Sequence, residues 1–126
     1  MLYYVASPYS KYPRGRREAF EVVCEYTAAL LRLNLPVYSP IVHSHAICRA
    51  TDLDPLNHEF WMAADKPVAD VSSGLIVCCM DGWEDSIGVQ MEIEWFHAAN
   101  KPIYYARLTN DGRIHWVAET MMGSPV

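Results

Sequence analysis

"GLIVCCM", residues 74–80, contains no charged side chain and no polar alternation. A strand of that kind belongs in a sheet covered on both faces, as parallel sheets are. Working outward, "LYYVAS" (2–7) is a short β-rich run that ends in the loop "SPYSKYPRG" (7–15), marked by Pro8, Pro13 and Gly15. Residues 16–33 carry Phe20, Val23, Cys24, Ala28 and Leu31 at helical spacing. "LPVYSP" (35–40) reads as a second strand bracketed by Pro36 and Pro40, and "IVHSHAICRATDLDPLN" (41–57) as loop with one helical turn at most. "HEFWMAAD" (58–65) predicts a helix that Pro67 kinks or restarts. After "DGWEDS" (81–86) comes a helix from about Ile87 to Asn100, then "KPIYYA" (101–106) as a fourth strand. "RIHWVAETMMG" (113–123) predicts a last strand or helix.

This alternation predicts one domain over residues 1–126. The fold class expected is α/β, a flavodoxin- or Rossmann-like three-layer sandwich with a four- or five-stranded parallel sheet. Ligands of such sheets bind beyond the carboxyl ends of the strands, where strand order reverses. The loops after the first and third strands, "SPYSKYPRG" and "DGWEDSIG", are therefore the ones to search. Neither is a dinucleotide fingerprint nor a P-loop.

Composition narrows the function classes. The chain has 126 residues and a net charge of −5, which disfavours a broad electrostatic grip on a nucleic acid polymer but leaves room for a small anionic ligand. The start "MLYYVASPYS" lacks the basic, then apolar, pattern of a signal peptide, and no apolar run reaches the roughly 18 residues of a membrane span. Cys24, Cys48, Cys78 and Cys79 form no C-x-x-C pair, so all four are expected reduced, as in a cytoplasmic protein.

The chemistry gathers in "DSIGVQMEIEWF", residues 85–96. At 100° per residue, Gln90, Glu94 and His97 share one side, whereas Glu92 falls among Gly88, Trp95, Phe96 and Ala99 on the apolar side. A buried carboxylate is costly unless compensated, and the helix start one turn away supplies partial positive charge. Such a group suits nucleophilic or general-base work, or it is a structural partner of a buried arginine or tyrosine hydroxyl. Ser86 is placed to cap the helix and, with the free amides behind it, to seat a phosphate or ribose oxygen.

These residues carry a resemblance. "SIGVQMEIEWFHAANKPIYYA" (86–106) resembles the signature of the nucleoside 2-deoxyribosyltransferase superfamily, which includes the deoxynucleoside 5′-monophosphate N-glycosidases. Gly88 falls on the pattern's glycine and Glu92 on its catalytic glutamate. "LYYVASPYS" resembles the family's first strand, whose tyrosine reaches the nucleophile; Tyr3 is the better match and Tyr4 the alternative. "HEFWMAADKPVADVSSGLIV" resembles the segment that places the family's aspartate on Asp65.

What the resemblance implies is attack by ionised Glu92 on C1′ of a 2-deoxyribosyl group, with Asp65 protonating or steadying the departing base and Tyr3 orienting the glutamate. Paired carboxylates commonly break glycosidic bonds in this way, and neither metal nor cofactor is implied. Transferases of the family carry an aspartate six residues before the nucleophile; the monophosphate hydrolases carry a serine there. Ser86 holds that place, with Asp85 one position off, and Ser7 matches a second phosphate-binding serine. A serine tolerates a phosphate dianion that an aspartate would repel. Arg14, Arg16 and Arg17 follow within reach of the phosphate.

The chain departs from the family at Gln90, often glycine, and in lacking the hydrolases' glycine-rich arginine loop. A homodimer or larger homo-oligomer is implied, with Asn110 and Thr120 as candidates for a residue lent to a neighbouring subunit. Trp83 is expected beside the pocket. His43 and His45 form an H-x-H without a third ligand, weak grounds for zinc; both are expected in the loop after the second strand, solvated or stacked on a base. The expected function is N-glycosidase action on a (2′-deoxy)nucleoside 5′-monophosphate. The rivals are a base-exchanging deoxyribosyltransferase, a non-catalytic nucleotide-binding module, and an oligomer in which Glu92 is structural.

Overall fold

A computed structural model of the chain describes residues 1–119. Its elements are β1 (Tyr3–Ala6), α1 (Arg16–Arg32), β2 (Val37–Tyr38), α2 (Pro40–Ala50), α3 (His58–Val71), β3 (Gly74–Cys78), a 3-10 turn (Trp83–Asp85), α4 (Ile87–Ala98), β4 (Ile103–Leu108) and β5 (Ile114–Ala118). The strands form one sheet in the order β2-β1-β3-β4-β5. β2, β1, β3 and β4 are mutually parallel, while β5 runs antiparallel to β4. The molecule is thus a small α/β domain with a mostly parallel sheet flanked by helices.

β3 is buried along its whole length, as its unbroken apolar run requires. Alternation along β1 and β3 then splits the core in two. Tyr4, Ala6, Leu75 and Val77 face α4 and the end of α3, meeting Val89, Phe96 and Ala69. Val5, Ile76 and Cys78 face α1, meeting Ala19, Val23, Tyr26 and Leu30. The buried stripe of α1 is rotated from the expected one, since Leu31 is exposed and Tyr26 takes the inner position.

Three further expectations need correction. The fully parallel sheet fails at β5: Thr109 pairs with Arg113 across a tight turn in which Gly112 has φ +84°, so the chain folds straight back on β4. The stretch read as loop holds an eleven-residue helix, α2, started by Ser39, whose hydroxyl accepts from the Val42 amide at 3.3 Å, and by Pro40 at its first position. Pro67 does not restart the helix, since α3 runs through it to Val71. At the far end of α3, Lys101 Nζ donates to the carbonyls of Ala69 and Asp70 at 3.2 and 2.7 Å, satisfying two terminal acceptors.

The four cysteines are free. Among the described residues no helix is long and apolar enough to cross a membrane. Thr120 lies outside the described residues.

Gly82 sets the approach of the loop after β3 to the loop after β1. Its φ is +86°, and a Cβ there would lie 2.7 Å from the Lys11 carbonyl oxygen. Both the left-handed backbone and the clash oppose a side chain. Gly82→Ala is expected to cost at least about 2 kcal/mol of stability, read as a lower denaturant midpoint at unchanged slope; an unshifted midpoint would show that the two loops are not held together there.

Candidate active site

Strand order reverses at β1, whose neighbours are β2 on one side and β3 on the other. The loops leaving β1 and β3 therefore diverge and leave a crevice at their carboxyl ends. A cavity of about 120 Å³ lies there, and its wall includes Ser7, Asp65, Ser86, Gly88 and Glu92. Five residues from three separate segments thus meet at one place.

Each is held by local structure. Ser7 follows the last residue of β1, and its Oγ is buried without a hydrogen-bond partner among the described residues. Ser86 caps α4, accepting from the Val89 amide at 3.2 Å. Glu92 lies one and a half turns further on, 6% exposed, on the same buried face as Val89, Ile93 and Phe96. Gln90, Glu94 and His97 are exposed, as the helical geometry requires. Asp65 comes from α3 and is 7% exposed.

Glu92 is not in an ion pair among the described residues. Its hydrogen bond comes from the buried hydroxyl of Tyr4. Burial pushes the Glu92 carboxyl up to about 8; the Tyr4 bond pulls it down and the nearby Asp65 charge adds to the rise. Burial also raises Asp65, to about 6. Tyr4 is driven far above the ordinary phenol range, first by burial and then by the Glu92 charge, so it stays a donor. The result is a carboxyl that ionises near neutrality, oriented by a phenol, with a second raised carboxyl in the same hollow. That pairing can support nucleophilic attack together with proton transfer.

Several candidates do not join this cavity. Tyr3 points to the opposite face of the sheet, its ring edge-on to Tyr104 at 6.1 Å, because adjacent strand residues alternate; Tyr4 takes the position beside Glu92. Trp83 turns away into a separate hollow, packing on Tyr105 at 5.5 Å. His43 is exposed on α2 beside Tyr38, not in a loop, and does not line the cavity. His45 is likewise on α2, buried and stacked on Phe20. Asp85 is exposed and outside the cavity wall.

The cavity also includes residues that the sequence reading passed over. His58, Trp61 and Met62 line it beside Asp65, an i, i+3, i+4, i+7 series that marks one face of α3. Asn57 caps the helix, accepting from the Phe60 amide at 3.3 Å, which leaves the His58 side chain to the cavity wall. Ser44 of α2 is buried in the same wall. Among the described residues no three His, Cys, Asp or Glu side chains are grouped where they could hold a metal ion.

The family described as "Domain of unknown function (DUF1937)" matches residues 2–107. The chain belongs to that family. The matched span runs from β1 through nearly all of β4 and so contains every residue of the cavity. No curated protein matches the chain.

Proposed function

We propose that this DUF1937 domain hydrolyses the N-glycosidic bond of a (2′-deoxy)nucleoside 5′-monophosphate with Glu92 as nucleophile. The observation that carries the reading is the buried Glu92 carboxyl, bonded by Tyr4 and sharing one cavity with Asp65, Ser7 and Ser86. In the first step an ionised Glu92 oxygen bonds to C1′ as the C1′–N bond breaks and its electron pair leaves with the base. Asp65 protonates or steadies that base. Water then attacks C1′ as the C1′–O bond to Glu92 breaks, its proton passing to Asp65 if that residue protonated the base and otherwise to the departed base, which releases the sugar phosphate and restores the Glu92 carboxylate. The strand order, 2-1-3-4-5 with an antiparallel edge, fits a flavodoxin-like sandwich, and the cavity stands at its switch point. A cytoplasmic setting and assembly into a homodimer or larger oligomer belong to the same reading.

The unpartnered Ser7 hydroxyl favours a phosphate, since a buried hydroxyl without an acceptor or donor is otherwise uncompensated. The Ser86 hydroxyl stands at the start of α4, where free amides also favour an anion. Asp85 outside the wall removes the carboxylate that would grip a free 5′-hydroxyl, which favours hydrolysis of nucleotides over transfer between nucleosides. The direct test incubates the protein with a panel of nucleosides and their 5′-monophosphates and follows free base by chromatography, with and without a second base. Base released from monophosphates supports the reading. A new nucleoside assigns the transferase chemistry instead, and bound nucleotide with no base released assigns a binding module.

Two variants separate the parts. Ser86→Asp places a carboxylate against the phosphate and is expected to lower kcat/KM for monophosphates at least about tenfold relative to nucleosides; an unchanged ratio would mean the phosphate lies elsewhere. Tyr4→Phe removes the bond that favours ionised Glu92. A hydrogen bond to a charged group contributes about 1.5–3 kcal/mol, so the pH dependence of base release should move upward by about one unit or more. A profile that stays in place would show that Tyr4 does not tune the carboxyl.

A further inference from the structure

Tyr9 and Pro55 line the Glu92 cavity and also a second hollow, of about 370 Å³. The Glu92 cavity alone, at about 120 Å³, is far below the roughly 300–1,000 Å³ of ordinary ligand sites. The second hollow therefore adds the room a larger ligand needs. Its wall is cationic: Arg14 comes from the loop before α1, Arg16 and Arg17 from its first turn and Arg49 from the last turn of α2, and among the described residues no carboxylate lines it. Arg14 is paired with Glu18 and Asp81, and Arg17 with Glu21. Arg16 and Arg49 have no ion-pair partner among the described residues.

Two further features point to an anion. α1, seventeen residues long, begins at Gly15 with no side chain capping its first amides, and Gly15 lies in this wall. His45 lies in the same wall, 7% exposed, with Nδ1 at 2.7 Å from the Tyr9 hydroxyl and a buried Nε2 that has no partner among the described residues. Burial raises the Tyr9 phenol, so its hydroxyl keeps a proton that it can donate to Nδ1. The neutral ring then carries its hydrogen on Nε2, a buried donor with no acceptor. Burial holds His45 below its ordinary value, and the nearby Arg49 and Arg16 charges add to that fall while Glu21 opposes it. A phosphate oxygen would supply the missing acceptor and offset those charges together.

We propose that this basin is a subsite for the terminal phosphate of a nucleoside 5′-diphosphate. Resting on the nucleotide reading above, the sugar lies by Glu92, the first phosphate by Ser7 and Ser86, and the second passes Tyr9 to reach Arg16, Arg49 and His45. The ligand class thereby widens from monophosphates to nucleotides with a phosphate chain. Guanidinium groups suit that role because they bind phosphate oxygens in pairs.

Calorimetry on full-length Glu92→Gln protein, in which the bond is not cleaved, tests the subsite with matched 2′-deoxynucleoside mono- and diphosphates. The diphosphate is expected to bind at least about tenfold tighter, and adding Arg49→Ala should erase that preference while leaving monophosphate affinity in place. Arg49 is exposed at a helix end, so the change spares the core. Equal affinities overturn the proposal, as does a preference that survives Arg49→Ala or a loss shared equally by both nucleotides. Base-release assays on the unmodified protein keep the two readings apart. A diphosphate preference through Arg49 without base release from any substrate leaves the subsite standing and removes the hydrolase. Base release from monophosphates with no gain for diphosphates does the reverse.

Discussion

Glu92→Gln yields a protein that folds, still binds nucleotide, and releases base at least about 10³-fold more slowly than the parent. The amide keeps the shape of the side chain and can still accept from Tyr4, so the pocket stays closed while the nucleophile is gone. The same variant should be more stable than the parent, and increasingly so as pH rises. Burial raises the carboxyl in the folded protein from 4.5 to about 8. Between those values the unfolded chain has lost a proton that the folded chain keeps, so parent stability falls with rising pH until both are ionised. Glutamine removes that penalty. The gain is near zero at about pH 4 and on the order of a few kcal/mol at about pH 9, measured by denaturant titration at each pH. A variant that loses stability at alkaline pH would mean that Glu92 is a structural partner of Tyr4, the bland alternative.

The pH dependence of the parent should be steep. Where Asp65 only steadies the leaving base, attack requires ionised Glu92 alone, so base release is expected to rise nearly tenfold per pH unit well below 8 and about fiftyfold from pH 6 to 8. A proton-donating Asp65 changes that profile. It ionises at about 6, before Glu92, so a proton-donating Asp65 needs the minority form in which Glu92 is charged and Asp65 is not. That form is never more than about 1% of the protein, and the rate would peak between the two values and fall on either side. An Asp65 that only steadies the leaving base gives a plateau above pH 8. A rate flat from pH 6 to 9 contradicts both and removes Glu92 from the chemistry.

How much of this was legible in the sequence varied with the kind of signal. β3 and α4 were readable because their patterns are local: an unbroken apolar run in one case, and a helical period interrupted by a single acid in the other. Glu92 stood out because Glu94, two residues on, showed where a surface glutamate belongs. Whether Tyr3 or Tyr4 reaches Glu92 was undecidable locally, since strand alternation sets them on opposite faces but only the packing of α4 says which face matters.

Two misses did have signals. Ser39-Pro40 is a helix start, a capping hydroxyl followed by proline at the first helical position, yet Pro40 was taken as the end of a strand. "NDG" (110–112) is a hairpin turn, and it explains why β5 returns antiparallel to β4. Trp83 was placed by its nearness in sequence to Ser86, but the 3-10 turn between them carries the ring toward Tyr105. His58 and Trp61 share the face of α3 that holds Asp65, and the helical period alone places them there once Asp65 is singled out.

The central claim is that a Glu92 oxygen bonds to the sugar. It can be tested with a 2-deoxyribosyl nucleotide carrying fluorine at C2′, which slows breakdown of a glycosyl ester more than it slows its formation when the leaving base is good. Intact-mass measurement followed by peptide mapping should find the fluorinated sugar phosphate on one peptide, attached at Glu92 and absent from Glu92→Gln. Steady base release from the natural nucleotide, with no adduct on the protein or with the adduct on another side chain, would contradict the account.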